Sequence, residues 1–249
     1  MALLSMLLLA ALLPNLSHSA NINVGIVNGK LTRDDSRLYM VSIQIGDRHE
    51  CGGFLVSNHF VMTAAHCYKG WVLTVVVGAH DLSNREGFLR MEVESYYLHP
   101  QFNPETLDND IMLLKLNGAV KKSRTVNYIS IDQTHEDIPV NTLCSVAGWG
   151  REGSNTPLSN RLMETHIVIT DRIQCSKQWN STYPVTDSKV CASSPATCQG
   201  DSGGPLVCGN TAMGIVSFGE EVCENPGKPN VYTRISAFLP WIESIIKNV

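Results

Sequence analysis

One serine of this chain lies in a glycine-rich stretch, Gly200-Asp201-Ser202-Gly203-Gly204, that suits neither a strand nor a helix. Glycine is favoured where the backbone takes unusual dihedral angles or approaches another group closely. Here it allows a tight fold that exposes the Ser202 hydroxyl and turns nearby amide hydrogens outward. Such donors suit an oxyanion, so the stretch predicts a nucleophilic serine. The alternative is an ordinary turn in which Asp201 and Ser202 are turn residues.

A serine nucleophile needs an adjacent base, which a third group must orient. His66 follows the small residues Thr63-Ala64-Ala65, and Asp110 directly precedes an apolar run over 111–114. We predict His66 as the general base and Asp110 as the orienting group, because a carboxylate that stabilises an imidazole cation should be sheltered. The competitor is Asp108, which lies further from the apolar run and which we expect to be a solvated turn residue.

Composition places the chain among ordinary globular proteins. It has 249 residues, 43% of them hydrophobic and 17% charged, with a formal net charge of −4. Without a basic excess, nucleic acid and anionic membranes are disfavoured as partners. The apolar stretch 2–13 is too short for a bilayer span, which takes about 20 residues. It is typical of a signal peptide, so we expect a secreted protein.

The cysteines all follow this leader. No C-x-x-C pair and no H-E-x-x-H motif occurs, which disfavours a zinc site. An even number of cysteines in a secreted chain is typical of disulfides. Many pairings are open, and the sequence alone does not choose among them. The cysteines are Cys51, Cys67, Cys144, Cys175, Cys191, Cys198, Cys208 and Cys223.

Strands are the elements that must position these residues. Apolar and charged residues alternate over 89–94, which predicts a strand with one solvated face. Residues 71–77 and 111–116 are further predicted strands, and a second set of strands runs from 143 to 235. Many short strands without intervening helices predict barrels or sandwiches.

The C-terminal tail has a different pattern. Apolar residues recur there at three- and four-residue spacing, with Ser236 available as a cap and Pro240 in the first turn. This pattern predicts an amphipathic helix that docks on the second set of strands. The apolar residues are Phe238, Trp241, Ile242, Ile245 and Ile246.

Further motifs accompany the serine, the histidine and the aspartate. They are Ile26-Val27-Asn28-Gly29, Cys51-Gly52-Gly53, Ala147-Gly148-Trp149-Gly150, Ser217-Phe218-Gly219 and Val231-Tyr232-Thr233-Arg234. With them, the chain from Ile26 onward resembles the trypsin/chymotrypsin family of serine proteases, which shares the order His, Asp, Ser. Within that family it looks most like the granzymes and mast-cell proteases.

The resemblance implies an all-β fold of two antiparallel six-stranded β-barrels with a C-terminal α-helix and the active site in the cleft between the barrels. His66 and Asp110 would come from the first barrel and Ser202 from the second. We expect a signal peptide over 1–20, a propeptide over 21–25 and a protease domain over 26–249. Within the domain, the barrels would span about 38–128 and about 140–235, and the helix about 236–248.

The resemblance also implies the disulfides and the roles of other residues. The implied pairs are Cys51–Cys67, Cys144–Cys208, Cys175–Cys191 and Cys198–Cys223. The amides of Gly200 and Ser202 would be the oxyanion donors. Cleavage before Ile26 would create an α-ammonium group that neutralises Asp201. The implied substrate-binding residues are Ala196, Thr197, Gln199, Ser217, Phe218, Gly219 and Asn230.

Ala196 and Asn230 bear on specificity. The floor of the primary pocket would carry Ala196 and no carboxylate, so a basic substrate residue would lose water without gaining a partner. Asn230 would shorten the pocket. Both features predict a neutral residue of moderate length before the cut, such as Leu, Met or Gln, with large aromatic residues second.

We therefore expect a secreted, monomeric serine endopeptidase, with storage in secretory granules left open. Its partners would be protein or peptide substrates, protein protease inhibitors and an activating protease. No cofactor or metal is expected, since Ala79 stands where calcium-binding relatives carry a glutamate. Asn180 begins a glycosylation sequon. The alternative function is an inactive relative that acts as a binding or antimicrobial protein, although such proteins usually lack the histidine or the serine.

Overall fold

The computed structural model describes residues 26–179 and 183–247. The expected signal peptide and propeptide lie outside these residues, as does the sequon asparagine Asn180. Within the described ranges, no helix is long and apolar enough to span a membrane.

The first barrel follows a two-residue strand, β1 (Lys30–Leu31). Its six strands are β2 (Met40–Ile45), β3 (Arg48–Leu55), β4 (Phe60–Thr63), β5 (Leu73–Val77), β6 (Leu89–Leu98) and β7 (Met112–Leu116). They close into an antiparallel ring in the order β2-β3-β4-β7-β6-β5. All four residues of β4 are buried. In β6 half-buried and exposed positions alternate over 91–94 as the sequence predicts, but Leu89 is 48% exposed and no residue of the strand is fully buried.

One strand of this barrel is shorter than its sequence predicts. We expected a strand over 71–77, but β5 begins at Leu73. Trp71 and Val72 stay 64% and 78% exposed, so they contribute nothing to the core.

The second barrel also has six strands, closed by the pairing of β9 with β10. Around the ring they run β9-β10-β11-β14-β13-β12, while β1 pairs with β10, and a short strand β8 runs parallel to β13. Their bounds are β8 (Ser130–Ile131), β9 (Leu143–Gly148), β10 (Met163–Thr170), β11 (Lys189–Ala192), β12 (Pro205–Cys208), β13 (Thr211–Phe218) and β14 (Asn230–Arg234). The two-barrel, all-β prediction is therefore confirmed.

The helices are α1 (Arg172–Trp179), which the sequence did not predict, and α2 (Leu239–Ile246). Pro240 lies in the first turn of α2, as expected. The N-cap is Phe238, however, and Ser236 lies in a preceding 3₁₀ turn, Ile235–Phe238.

The expected docking of α2 on the second set of strands was wrong. Phe238 and Ile242 join the hydrophobic core of the first barrel, which also receives residues from β12 and β13. Trp241 packs edge-on against His99, just after β6, with 5.2 Å between ring centroids. The helix therefore fastens the C-terminus onto the first barrel.

Four disulfides join the same pairs that the family resemblance implies. Two of them, Cys51–Cys67 and Cys175–Cys191, each span 16 residues of sequence. The first ties β3 to the segment after β4, and the second ties α1 to β11. The other two are Cys144–Cys208 and Cys198–Cys223.

Candidate active site

Strand register brings His66 and Asp110 together. His66 lies in a 3₁₀ turn just after β4, and Asp110 lies two residues before β7. Since Thr63 pairs with Met112 across these antiparallel strands, the two residues meet at the same end of the barrel. His66 Nδ1 lies 2.7 Å from Asp110 Oδ2, and the His66 backbone N–H donates to Asp110 Oδ1 at 3.0 Å.

The Asp110 carboxylate is fully buried and has further partners from the second barrel. Ser217 Oγ donates to Asp110 Oδ2 at 2.6 Å, and Thr233 Oγ1 donates to the Asp110 carbonyl oxygen at 2.8 Å. Burial by itself raises the pKa of Asp110. The charge and hydrogen bonds of His66 and the Ser217 hydrogen bond outweigh that effect and hold the pKa below its ordinary value. Asp110 is therefore an ionised, sheltered partner for the imidazole.

Asp108 is not the solvated turn residue that we expected. Its Oδ1 lies 2.7 Å from Nζ of Lys189, and its side chain is 29% exposed, whereas that of Lys189 is only 2% exposed. The carboxylate pairs with a buried cation and has no contact with His66 among the described hydrogen bonds.

Ser202 is held by backbone bonds from both barrels. The Gly52 N–H of β3 donates to the Ser202 carbonyl at 2.8 Å, and the next residue, Gly203, donates to the Val216 carbonyl at 2.8 Å. In the described part of the chain, no hydrogen bond joins the Ser202 hydroxyl to His66. Such bonds are often long in a site without substrate and tighten when it binds.

Two glycines of the serine loop have conformations that side chains rarely adopt. Gly200 has a φ of +97° and Gly203 a φ of +81°. A Cβ on Gly203 would lie 2.1 Å from Thr63 Oγ1 and 2.5 Å from the Gly52 carbonyl oxygen. Glycine at this position is therefore required both by the backbone and by the space beside β4.

His49 is a site residue that the sequence reasoning missed. Its Nε2 lies 2.8 Å from the Gly200 carbonyl oxygen, and its Nδ1 lies 2.8 Å from Ser42 Oγ. Burial lowers the pKa of His49 to about 4, so the ring is neutral, with its proton on the nitrogen that faces the carbonyl. The one feature of the sequence that could have indicated a role for His49 is its place two residues before Cys51. His49 anchors Gly200, whose N–H is an expected oxyanion donor.

Asp201 is fully buried beneath this loop. Gly150 N–H donates to its Oδ1 at 2.8 Å, and Cys198 N–H donates to its Oδ2 at 3.0 Å. Burial raises the pKa of Asp201 to about 7 despite these two bonds. A Cβ on Gly148 or Gly150 would lie within 2.4 Å of carboxyl atoms of Asp201. Glycine at these two positions therefore leaves the space that the carboxylate occupies.

The N-terminal end of the described chain lies in the second barrel. Ile26 is fully buried in the hydrophobic core of that barrel, together with Ala196. Val27 N–H donates to the Ala196 carbonyl at 2.9 Å. Ile26 is therefore a core residue of the second barrel.

A cavity of about 160 Å³ opens beside Ser202. Of the expected substrate-binding residues, Thr197, Gln199, Ser217, Phe218 and Gly219 line it. Lining residues that the sequence did not suggest include Val216, Glu220 and Glu221.

Ala196 and Asn230 are buried and do not line this cavity directly. Asn230 lies behind one wall, because its Nδ2 would be 2.3 Å from a Cβ placed on Gly219. Its Oδ1 has no hydrogen-bond partner among the described residues. Lys228 lies two residues before Asn230. Its Nζ pairs with Glu220 Oε1 at 3.5 Å, so its charge is compensated.

Cys51, His66 and Cys67 lie close enough to hold a metal ion. The two cysteines are joined in a disulfide, however, and offer no thiolate to a metal. This cluster therefore does not support a metal centre.

Comparison with known proteins gives a consistent result. The family model described as Trypsin matches residues 26–242. Mast cell protease 3 of Ovis aries is 38% identical over 97% of this chain and 95% of its own length. Cathepsin G of Homo sapiens is 38% identical over 98% of this chain and 94% of its own length. Among solved structures, mouse neuropsin, a serine protease expressed in the limbic system, aligns with a TM-score of 0.82 and 32% identity, covering 89% of this chain and 100% of that one.

Proposed function

We propose that this chain, a serine endopeptidase that belongs to the trypsin family, cleaves peptide bonds through an acyl-enzyme on Ser202. The observation that carries this mechanism is the buried, ionised Asp110 at 2.7 Å from His66 Nδ1. Asp110 fixes the His66 tautomer with the proton on Nδ1, which leaves Nε2 free to accept one.

In the proposed reaction, Ser202 Oγ attacks the carbonyl carbon of the scissile bond and passes its proton to His66 Nε2. The carbon–nitrogen bond then breaks, and His66 gives this proton to the leaving amine. Water then attacks the carbonyl carbon of the ester and gives a proton to His66. The bond from that carbon to Ser202 Oγ breaks, Oγ takes the proton from His66, and the carboxylic acid product leaves. Asp110 stays ionised throughout and stabilises the imidazolium.

The developing oxyanion would be bound by the amides of Gly200 and Ser202. Removing one such donor typically costs on the order of 10²–10³ in turnover. His49 supports this role, because its bond to the Gly200 carbonyl fixes the orientation of the loop. The anchor is neutral, so it adds no charge beside the oxyanion.

We infer that the secreted chain is a precursor activated by cleavage before Ile26. Asp201 is buried with a pKa raised to about 7, so its ionised form lacks sufficient compensation. A new α-ammonium group at Ile26 would supply the missing positive charge. Since Gly25 precedes the bond, the activating enzyme must accept a small residue there. The leader over 1–20 and the four disulfides support an oxidising, secretory route.

The preferred substrate would have a neutral residue of moderate length before the cut, such as Leu, Met or Gln. The cavity is small, Asn230 backs one wall at Gly219, and the buried Ala196 offers no carboxylate to a basic side chain. Glu221 lines the cavity and would repel an acidic residue, whereas the charge of Glu220 is compensated by Lys228. Large aromatic residues are second. As a family member the chain acts on protein substrates and meets protein inhibitors, and we propose that it does so as a monomer.

A titration with a serine-directed phosphonate reagent tests the mechanism on the activated chain. The wild type should bind one equivalent and lose activity, and Ser202→Ala should neither bind the reagent nor cleave peptides. Ser123→Ala, at an exposed position, is the matched control and should behave as the wild type. Proteolysis by purified Ser202→Ala would refute the assignment. A wild type that never reacts would support the alternative of an inactive binding protein.

A further inference from the structure

Lys189 is a buried cation that the proposed mechanism does not use. It is the first residue of β11 and only 1% exposed. Its Nζ lies 2.7 Å from Asp108 Oδ1 and donates to the carbonyl oxygens of Pro184 at 2.7 Å and Thr106 at 3.3 Å. The two carbonyl oxygens accept hydrogen bonds from the ammonium group, whereas Asp108 Oδ1 pairs with it as an ion without a hydrogen bond. A buried charge needs such partners, and together they define the position of this group.

The partners of Lys189 belong to both barrels. Thr106 and Asp108 come from the first barrel, in the segment Thr106–Asp110, whereas Pro184 precedes β11 in the second. Thr233, the cross-strand neighbour of Lys189, donates to the Asp110 carbonyl in the same segment. Lys189 and Thr233, which are neighbours across β11 and β14, thus bind the segment at its first and its last residue.

The segment Thr106–Asp110 needs such support because its backbone is strained. Leu107 and Asn109 have φ values of +52° and +55°. Residues other than glycine occupy this region at a cost and remain there only where the surroundings fix them. The ion pair of Lys189 with Asp108 lies between the two strained residues and supplies that restraint.

Lys189 also contacts the wall of the substrate cavity. Its Nζ lies 5.3 Å from the ring centroid of Phe218, within the range of a cation–π interaction. Trp179 and Tyr183 pack on the same ring at 5.0 and 5.2 Å. One buried ammonium therefore fixes Phe218 relative to the segment that ends in Asp110.

We propose that Lys189 is a positioning residue for peptide binding, which sets the spacing between Phe218 and the segment Thr106–Asp110. A substrate that pairs with the Ser217–Gly219 edge as an added strand places the residue before the cut in the cavity. Its upstream residues then extend beyond the cavity, along Phe218. Lys189 touches no substrate atom and acts through these residues. The role rests on the proposed function, because it presupposes a peptide in this cleft.

The test compares two substrates that share the residue before the cut and the leaving group, one with four residues upstream of the bond and one with a single residue. In Lys189→Met, kcat/KM for the long substrate should fall on the order of tenfold, mainly through KM, because misplaced binding groups are costly even at small displacements. For the short substrate it should stay within about twofold. Lys122→Met is the matched control: Lys122 Nζ lies 4.9 Å from the Tyr128 ring, away from the cleft, and both substrates should be unaffected.

Equal losses for the two substrates would mean that Lys189 only stabilises the fold, and no loss would mean that it positions nothing; either result overturns the proposal. If Lys189→Met is not secreted, Asp108→Asn replaces it, since Asp108 is partly exposed and its change leaves the carbonyl partners of Lys189 in place. It should show the same selective loss, smaller in size. Titration with the serine reagent gives the active fraction of each variant. A wild type without titratable sites would refute the proposed function and would be seen before any ratio is compared.

Discussion

In the uncleaved chain, Asp201 should lower the free energy of unfolding by an amount that depends on pH. The substitution Asp201→Asn should remove this effect. Burial raises the pKa of this carboxyl from 3.8 to about 7. A carboxyl with a raised folded pKa binds its proton more tightly in the folded state. Below pH 3.8 it therefore contributes nothing, and the penalty grows as the pH rises from 3.8 to 7. A shift of about 3 units at about 1.4 kcal/mol each gives a penalty of about 4 kcal/mol at neutral pH.

The assay is guanidinium unfolding of the uncleaved chain at pH 4 and pH 7.5, with wild type and variant side by side. The quantity of interest is the change with pH in the difference between their unfolding free energies. This comparison cancels His49, whose lowered pKa makes stability rise with pH between about 4 and 6.5, opposite to Asp201. It also cancels any constant cost of the asparagine amide facing the Cys198 N–H.

From pH 4 to pH 7.5, the free energy of unfolding of Asp201→Asn should rise by about 4 kcal/mol relative to that of the wild type. After cleavage before Ile26, the gain should shrink, because the new α-ammonium group compensates the carboxylate. Parallel pH dependences of the two uncleaved proteins would refute the idea that Asp201 is buried without sufficient compensation before cleavage.

Three further predictions concern the serine loop and the cavity. Gly203→Ala should lose more than about 2 kcal/mol of stability in denaturant melts, because its positive φ and the 2.1 Å approach to Thr63 Oγ1 both oppose a Cβ. Gly209→Ala also has a positive φ but open space, so it should lose only about 1 kcal/mol; equal losses would show that the contact is unimportant. His49→Ala should lower kcat on the order of 10² by freeing the carbonyl that it anchors, and an unchanged kcat would exclude that support. Asn230→Gly should lengthen the cavity and shift a panel of peptides toward large aromatic residues before the cut; an unchanged preference would mean that Asn230 does not limit its depth.

Local patterns in the sequence predicted short strands in barrels or sandwiches, whereas the division into two barrels was implied by the resemblance to a known family. The residues beside His66 and Asp110, a small-residue stretch and an apolar run, indicated which histidine and which aspartate to choose. Local patterns do not show which part of the protein a buried face packs against, or which group a charge pairs with. The spacing of apolar residues in α2 defined which face is buried but not which barrel receives it, and Asp108 gave no sign of its ion pair with Lys189.

The helix α1 was missed for a similar reason. Its sequence, Arg172–Trp179, has only two buried residues, Cys175 and Trp179, and no continuous apolar stripe. It is held by the Cys175–Cys191 disulfide and by the packing of Trp179 against Tyr183 and Phe218. Such a helix depends on tertiary contacts, which a local pattern does not contain.

Several of the bonds that fix the candidate site cross between the two barrels. Ser217 and Thr233 of the second barrel bind Asp110 of the first, while Gly52 of the first barrel binds the carbonyl of Ser202 in the second. Neither barrel alone therefore contains both a fixed nucleophile and a fixed carboxylate. Substitutions that loosen the cleft should consequently reduce activity before they reduce the stability of either barrel. Catalysis therefore depends on the relative position of the barrels as well as on the presence of the three side chains.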